Sequence, residues 1–374
     1  MSPLFNGHHE CCWYHPPLAV SRTPPFVALI GLLMIVCRTV SGASVNGSEL
    51  LSSGRVNLPT SRVVVVSDPN SMETYNPQPH VVKKMVRAGI QALTETNLLD
   101  GWRSLVTPND TIGIKVFSTP GKIIGTRPVV VAAVIEQLVE IGVVPGKIII
   151  WDKQLGTLRL AGFYELKERY GVQIASSISA GWDPEVSYES PLTGKPVWGD
   201  FEFGKKGPNV GRKSYMSKLI TKDITKHIVI VPLLNHNTAG VSGAMFNLAM
   251  GSVDNTIRFE SRSRGLTEAV PEIFGKPEIF DRLAVVIVDG LICQYQGEAK
   301  NLLHYSKVLG QLRFSKDPVA LDVLSIQEVE RQRQDTGLPR RPMSREIFRN
   351  AELLELGVFD PRRIVVEMLP PPSP

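Results

Sequence analysis

Hydrophobic and polar positions along this chain follow two alternating rhythms. Short continuous runs such as Val63-Val64-Val65-Val66 predict strands buried on both faces of a sheet. Longer stretches with apolar residues three or four apart predict helices between them. In order, the pattern predicts a strand over 63–66, a helix over 81–98, a strand over 111–116, a helix over 129–141 and a strand over 147–152. A helix over 162–170 and a short strand over 172–175 come next. Pro128 suits the first turn of its helix, where a missing N–H costs nothing. Glycine, proline and aromatic residues then dominate, with Pro191-Leu192-Thr193-Gly194 as a turn signal, and predict a hairpin-rich insertion near 182–213. The alternation resumes with a strand over 227–231, a helix over 241–250, a strand over 283–288, a helix over 318–333 and a last strand over 363–368. Strands and helices at this spacing define an α/β fold: a mainly parallel, helix-covered, Rossmann-like sheet with a β-rich insertion.

Ahead of this domain, Phe26 to Cys37 is an unbroken apolar run of twelve residues, preceded by Arg22 and followed by Ser41-Gly42-Ala43. A helix of that length rises about 18 Å, too little for a hydrocarbon core about 30 Å thick. The run matches a secretory signal with cleavage after Ala43. The expected organisation is a signal peptide over 1–43, a linker over 44–60, the α/β domain over 61–368 and a tail over 369–374. The mature chain is then secreted or periplasmic and free of the membrane. The alternative is an uncleaved N-terminal helix, stopped by Arg38, that anchors it.

Composition narrows the classes further. The chain is 43% hydrophobic and 21% charged, ordinary for a globular protein. Loss of the leader removes Arg22, Arg38 and Glu10 from 41 basic and 36 acidic residues, leaving 39 against 35. The cluster Arg331, Arg333, Arg340, Arg341, Arg345 and Arg349 alternates with acids, as on a solvated helix. No basic stripe is interleaved with aromatics, which argues against nucleic acid as a partner. Of four cysteines, only Cys293 lies outside the leader. One thiol makes neither an internal disulfide nor an iron–sulfur cluster, and Cys293 reads as buried and structural.

In open α/β sheets, ligands bind beyond the carboxyl ends of the strands. Lys115 lies in an apolar strand, where it needs a partner or a ligand, or else snorkels from a sheet edge. Thr126 and Arg127 precede a helix start, a good place to hold an anion; a plain surface arginine is the other reading. The densest polar group is Asn235, His236, Asn237 and Thr238 at the end of an apolar strand, followed by Ser242 and Asn247. His236 in that company is a candidate acid/base group or metal ligand. Asp289, after the strand over 283–288, is a candidate to orient a hydroxyl, a metal or the imidazole, whereas Asp317 reads as a helix cap. His80, His227, His236 and His304 are too far apart for a zinc site of local spacing, and no metal is assigned.

At these residues the chain resembles the domain-of-unknown-function 362 family. The matching pieces are Gly113-Ile114-Lys115-Val116, Thr126-Arg127-Pro128, Val231-Pro232 through Asn247, Val288-Asp289-Gly290 and Ser315-Lys316-Asp317-Pro318 through Asp322. The resemblance implies no settled activity. Some members carry ferredoxin-type cysteines, which are missing here, and members typically show a lysine where this chain has Phe246. A more distant likeness, to the N-terminal domain of nickel-pincer lactate racemases, rests on His236 and the frame Ala239-Gly240-Val241-Ser242-Gly243. Leu158 and Phe246 replace that family's histidine and cofactor-bearing lysine, which argues against a nickel-pincer nucleotide.

The sequence thus predicts an exported protein that binds a small polar or anionic ligand at the strand ends, with metal-assisted or acid/base chemistry. His236, Asp289 and Lys115 are the catalytic candidates. Arg127, Thr126, Asn235, Asn237, Ser242 and Asn247 are the ligand-binding candidates. The alternative is a non-catalytic periplasmic module for a ligand or a partner.

Overall fold

The structure, a computed structural model, describes residues 60–189, 213–260, 264–339 and 345–372. The expected leader, nearly all of the expected linker, the middle of the expected insertion and the last two tail residues lie outside them.

Eight strands carry the central sheet: β1 (Ser61–Ser67), β2 (Ile112–Val116), β3 (Ile148–Asp152), β4 (Gln173–Ser176), β5 (Lys226–His236), β6 (Leu283–Gln294), β7 (Ser306–Ser315) and β8 (Ile364–Leu369). Their spatial order is β8-β1-β7-β6-β5-β2-β3-β4, and the short strand Gly240–Val241 folds back antiparallel on the end of β5. All pairings among the eight are parallel except those of β7, which runs against both β1 and β6. The expected α/β class is therefore the observed one.

Alternation of side chains across each strand divides the core in two. Ile228 and Ile230 of β5 face one side, with Ile112, Ile114 and Val116 of β2. Helices α1 (Pro79–Thr94), α2 (Pro128–Glu140) and α3 (Phe163–Tyr170) cover that side. Val229 and Val231 face the other, under α4 (Ala244–Ser252), α5 (Gly265–Phe274), α6 (Pro318–Asp335) and α7 (Glu346–Leu353). Because both faces are covered, the strands read as continuous apolar runs, which is why periodicity found most of them.

The departures from expectation are local. Helix α1 stops at Thr94 because Glu95 adopts a left-handed conformation, φ 56°. Strand β7 is unmarked in the sequence, since its first half is largely open to solvent and carries no apolar run. Strand β6 continues six residues past its expected end at Val288. The flanks of the expected insertion, Trp182–Glu189 and Lys213–Ser217, pair antiparallel. Among the described residues no helix is long and apolar enough to cross a membrane.

The connectivity creates one crevice. From β2 the chain winds outward through β3 to β4, then returns to lay β5 on the opposite side of β2. At such a reversal the loops leave the two strand ends in opposite directions, and the gap between them takes ligands.

Near the start of β5, His227 is fully buried, and its Nε2–H donates to the Glu278 carbonyl at 3.2 Å. Burial pushes its pKa from 6.5 down to about 4, the cations Arg282 and Lys226 adding to the effect. A depressed histidine stabilises the fold above pH 6.5, and that contribution is lost as pH falls through 4. The pKa difference amounts to about 3 kcal/mol. Urea unfolding at pH 7 and pH 4 should therefore show His227→Gln losing about 3 kcal/mol less than the parent on acidification. Equal losses in the two proteins would reject this account.

Candidate functional site

A cavity of about 350 Å³ opens at the carboxyl ends of β2, β3 and β5, against α4. Its size is at the lower end of the roughly 300–1,000 Å³ that small-molecule sites span. Phe117 and Thr119 line it from the loop after β2, Asp152 and Lys153 from the end of β3, and His236 from the end of β5. Ser242, Phe246, Asn247 and Gly251 come from the start and body of α4. Glu298 and Lys300 close it from the loop after β6, and Thr256 and Glu260 from the segment after α4.

Beneath this cavity lies Lys115, which is wholly buried. Its Nζ donates to the Val116 carbonyl at 2.6 Å, to Asp152 Oδ1 at 2.8 Å and to Asn247 Oδ1. An ammonium has three protons, so this one is saturated. Burial lowers the Lys115 pKa, and the adjacent Asp152 carboxylate opposes the shift. Lys115 is thus an internal strut with its own partners, not a snorkelling edge residue, because β2 is covered on both faces. Helix α4 must pass close to it: a Cβ on Gly251 would lie 2.5 Å from Lys115 Cε.

Asp152 is held from four directions. Besides Lys115, it accepts from Ser118 N at 2.8 Å, Ser118 Oγ at 2.6 Å and Lys153 N at 2.7 Å. The ammonium of Lys115 can only donate, so Asn247 must turn its carbonyl oxygen toward it and its NH₂ away. That Nδ2 is buried without a partner, and so is Ser242 Oγ. Both residues line the cavity, and a buried donor without a partner calls for one.

His236 packs its ring on Phe246, with centroids 4.4 Å apart. Its Nδ1 accepts from Ala239 N at 3.0 Å and from Thr238 N at 3.3 Å. The neutral ring therefore carries its proton on Nε2 and offers a donor. Metal ligation through Nε2 would put the proton on Nδ1, against two backbone N–H groups. Burial lowers the His236 pKa, with Glu298 and Glu260 pulling the other way, so the neutral ring prevails. Among the described residues, no three His, Cys, Asp or Glu side chains are grouped to hold a metal ion.

Lys153 is half-buried, and its Nζ donates to the Met250 carbonyl and to Thr256 Oγ1, each at 3.1 Å. Burial brings its pKa down to about 8 and the Lys115 charge acts the same way, against the pull of Glu260, Asp254 and Asp152.

Three expected site residues assemble elsewhere. Arg127 and Asp289 are buried and pair with each other at 2.7 Å, and Asp289 also accepts from Arg127 N at 3.0 Å. Asp289 was expected just past a strand end, but β6 continues to Gln294, which puts it inside the sheet between Pro232 and Leu312. Thr126 Oγ1 accepts from Phe117 N at 2.9 Å and donates to the Ile230 carbonyl at 2.6 Å, which ties the loop after β2 to β5. These three do not line the cavity, and Arg127 is neither a surface arginine nor a free anion holder. Asn235 and Asn237 serve the rim: Asn235 Oδ1 accepts from Glu298 N at 3.1 Å, and Asn237 N donates to Glu298 Oε1 at 2.8 Å.

The pair Asp152-Lys153 escaped sequence reasoning although the signal was present, a polar pair ending an apolar strand. Thr119, Glu260 and Lys300 had no such signal, since they reach the cavity from loops distant in sequence.

The start of α4 is fixed by Asp322 of α6, whose carboxylate accepts from Ala244 N at 2.8 Å and Met245 N at 3.0 Å. A Cβ on Gly243 would lie 2.1 Å from Asp322 Oδ1, so only glycine admits this approach. The helix N-terminus is thereby occupied from within.

A family model described as a domain of unknown function, DUF362, matches residues 112–327, more than half of the chain. No curated protein matches it. Among solved structures, that of a Thermotoga maritima protein is similar at 11% identity and a TM-score of 0.39. The match covers 71% of this chain, and the chain spans 61% of that protein's length.

Proposed function

From a chain that belongs to the DUF362 family, whose description names no activity, we propose a binding site for a small anionic, oxygen-rich molecule at the strand ends. The observation that carries this reading is the pair of unpartnered buried donors, Ser242 Oγ and Asn247 Nδ2, on two residues that line the cavity. His236 Nε2–H and the ammonium groups of Lys153 and Lys300 add further donors on the same cavity. Glu298 and Glu260 supply acceptors suited to ligand hydroxyls. Phe117, Phe246 and Met250 form an apolar wall against which a short carbon chain packs. Lys115 holds Asn247 and Asp152 in place, Thr126 ties the Phe117 loop to β5, and Asp152 itself reaches the cavity.

Within this arrangement His236 acts as a neutral hydrogen-bond donor that polarises a carbonyl or holds an oxyanion, rather than as a base. Titration calorimetry of the full chain against small carboxylates, hydroxy acids, oxo acids and phosphate esters tests the reading. At least one of these is expected to bind, and Ser242→Ala should weaken it about tenfold, the worth of one hydrogen bond to a charged group. The reading is lost if none binds, or if Ser242→Ala leaves the affinity unchanged.

A further inference from the structure

Lys115 and Lys153, both near the cavity, differ in one respect that bears on chemistry. Lys115 has three acceptors for three ammonium protons and leaves no lone pair. Lys153 has two, the Met250 carbonyl and Thr256 Oγ1, and it lines the cavity. A neutral amine has two N–H bonds, so the same two acceptors satisfy it completely and leave its lone pair for a third direction. Lys300, the other lysine on this cavity, is exposed and sits on a loop.

We propose that Lys153 is a nucleophile that forms an imine with the carbonyl carbon of a small oxo acid bound in this cavity. This deepens the anion-site reading and rests on it, since the carboxylate of the oxo acid is held by the donors already described. The site has what the step requires. The ammonium and amine forms of Lys153 interconvert near neutral pH, because its pKa lies at about 8. Roughly a tenth of it is therefore free amine at pH 7. Desolvation beside a second cation is a recognised way to activate a lysine. His236 Nε2–H is available on the same cavity to polarise the carbonyl oxygen.

The step balances without an oxidant or reductant. The Nζ lone pair attacks the carbonyl carbon and forms a C–N bond, and the carbonyl π pair moves to oxygen, which takes up a proton. The resulting carbinolamine loses that oxygen as water while Nζ gives up its hydrogens, and a C=N bond forms. One amine and one carbonyl become one imine and one water.

The test is reductive trapping of the full chain with pyruvate and sodium cyanoborohydride, which delivers hydride to the imine carbon and fixes a secondary amine. Intact-mass measurement and peptide mapping are expected to find one adduct per chain, on Lys153. Excess lactate, which has the carboxylate but no carbonyl, should suppress the adduct by competition. Lys153→Arg keeps a cation and removes the nucleophile, so it should abolish the adduct, with its folded state checked by melting temperature. Mapping of the parent protein decides the matter even if that variant does not fold. An adduct spread over exposed lysines such as Lys122 overturns the proposal, and so does none at all. Calorimetry separates the two readings. If pyruvate and lactate bind with dependence on Ser242 but nothing is trapped, the imine is wrong and the anion site stands. If neither binds nor is trapped, both are wrong.

Discussion

Asp289→Ala is expected to lower the unfolding free energy by about 3–5 kcal/mol, the range for breaking a buried ion pair by removing one partner. Asp289 has no exposed surface and Arg127 is 2% exposed, so water cannot replace the lost contact. The carboxylate receives Arg127 NH1 at 2.7 Å, Arg127 N at 3.0 Å and Leu291 N at 3.3 Å. Arg127 already leaves Nε and its second NH₂ group without partners, and the substitution strips the remaining one. Removing both charges should hurt less than removing one. The pair Arg127→Met with Asp289→Leu is therefore expected to recover part of the loss, although two backbone N–H groups stay unsatisfied. Urea denaturation, compared at constant slope, measures both changes. A single variant as stable as the parent, or a double variant no better than the single, would refute this account.

Lys115→Met is expected to cost about 3 kcal/mol in the same measurement. The figure sits at the lower end of the range because Asp152 keeps three other hydrogen bonds, from Ser118 N, Ser118 Oγ and Lys153 N. The methionine fills nearly the same volume, so the loss reports charge and hydrogen bonding more than packing. A functional effect should accompany it. Without the Nζ–H for its Oδ1 to accept, Asn247 is free to turn its amide, and its NH₂ is no longer held in place. Affinity for the anionic ligand should then fall about tenfold or more, the worth of one directed hydrogen bond. Adding Asp152→Asn should restore stability in part and leave the binding loss in place. Normal affinity in a folded Lys115→Met protein would show that this strut does not position the site.

Three residues of the candidate site were legible, but most of its lining and the partners were not. His236, Ser242 and Asn247 stood out as polar residues clustered where an apolar strand ends, and the structure brings them to one cavity. Arg127 and Asp289 stood out for the same kind of reason, yet they find each other. They are 162 positions apart in the chain, a separation at which no local pattern reports contact. Lys153 and Asp152 carried the same strand-end signal and were passed over, and Glu298 arrives through a loop held by Asn235 and Asn237.

The sequence by itself determined the α/β class, because strands buried on both faces must be continuous apolar runs and helices between them must repeat at three and four. It determined the family as well, through short pieces in a particular order. The tertiary structure alone decided which strand ends are truly ends and where β7 lies. It alone decided which charges meet in the core and which lysine is saturated. Periodicity is a property of neighbours along the chain, whereas the pairing of a buried charge or the aim of a lone pair depends on groups that meet only once the sheet has closed.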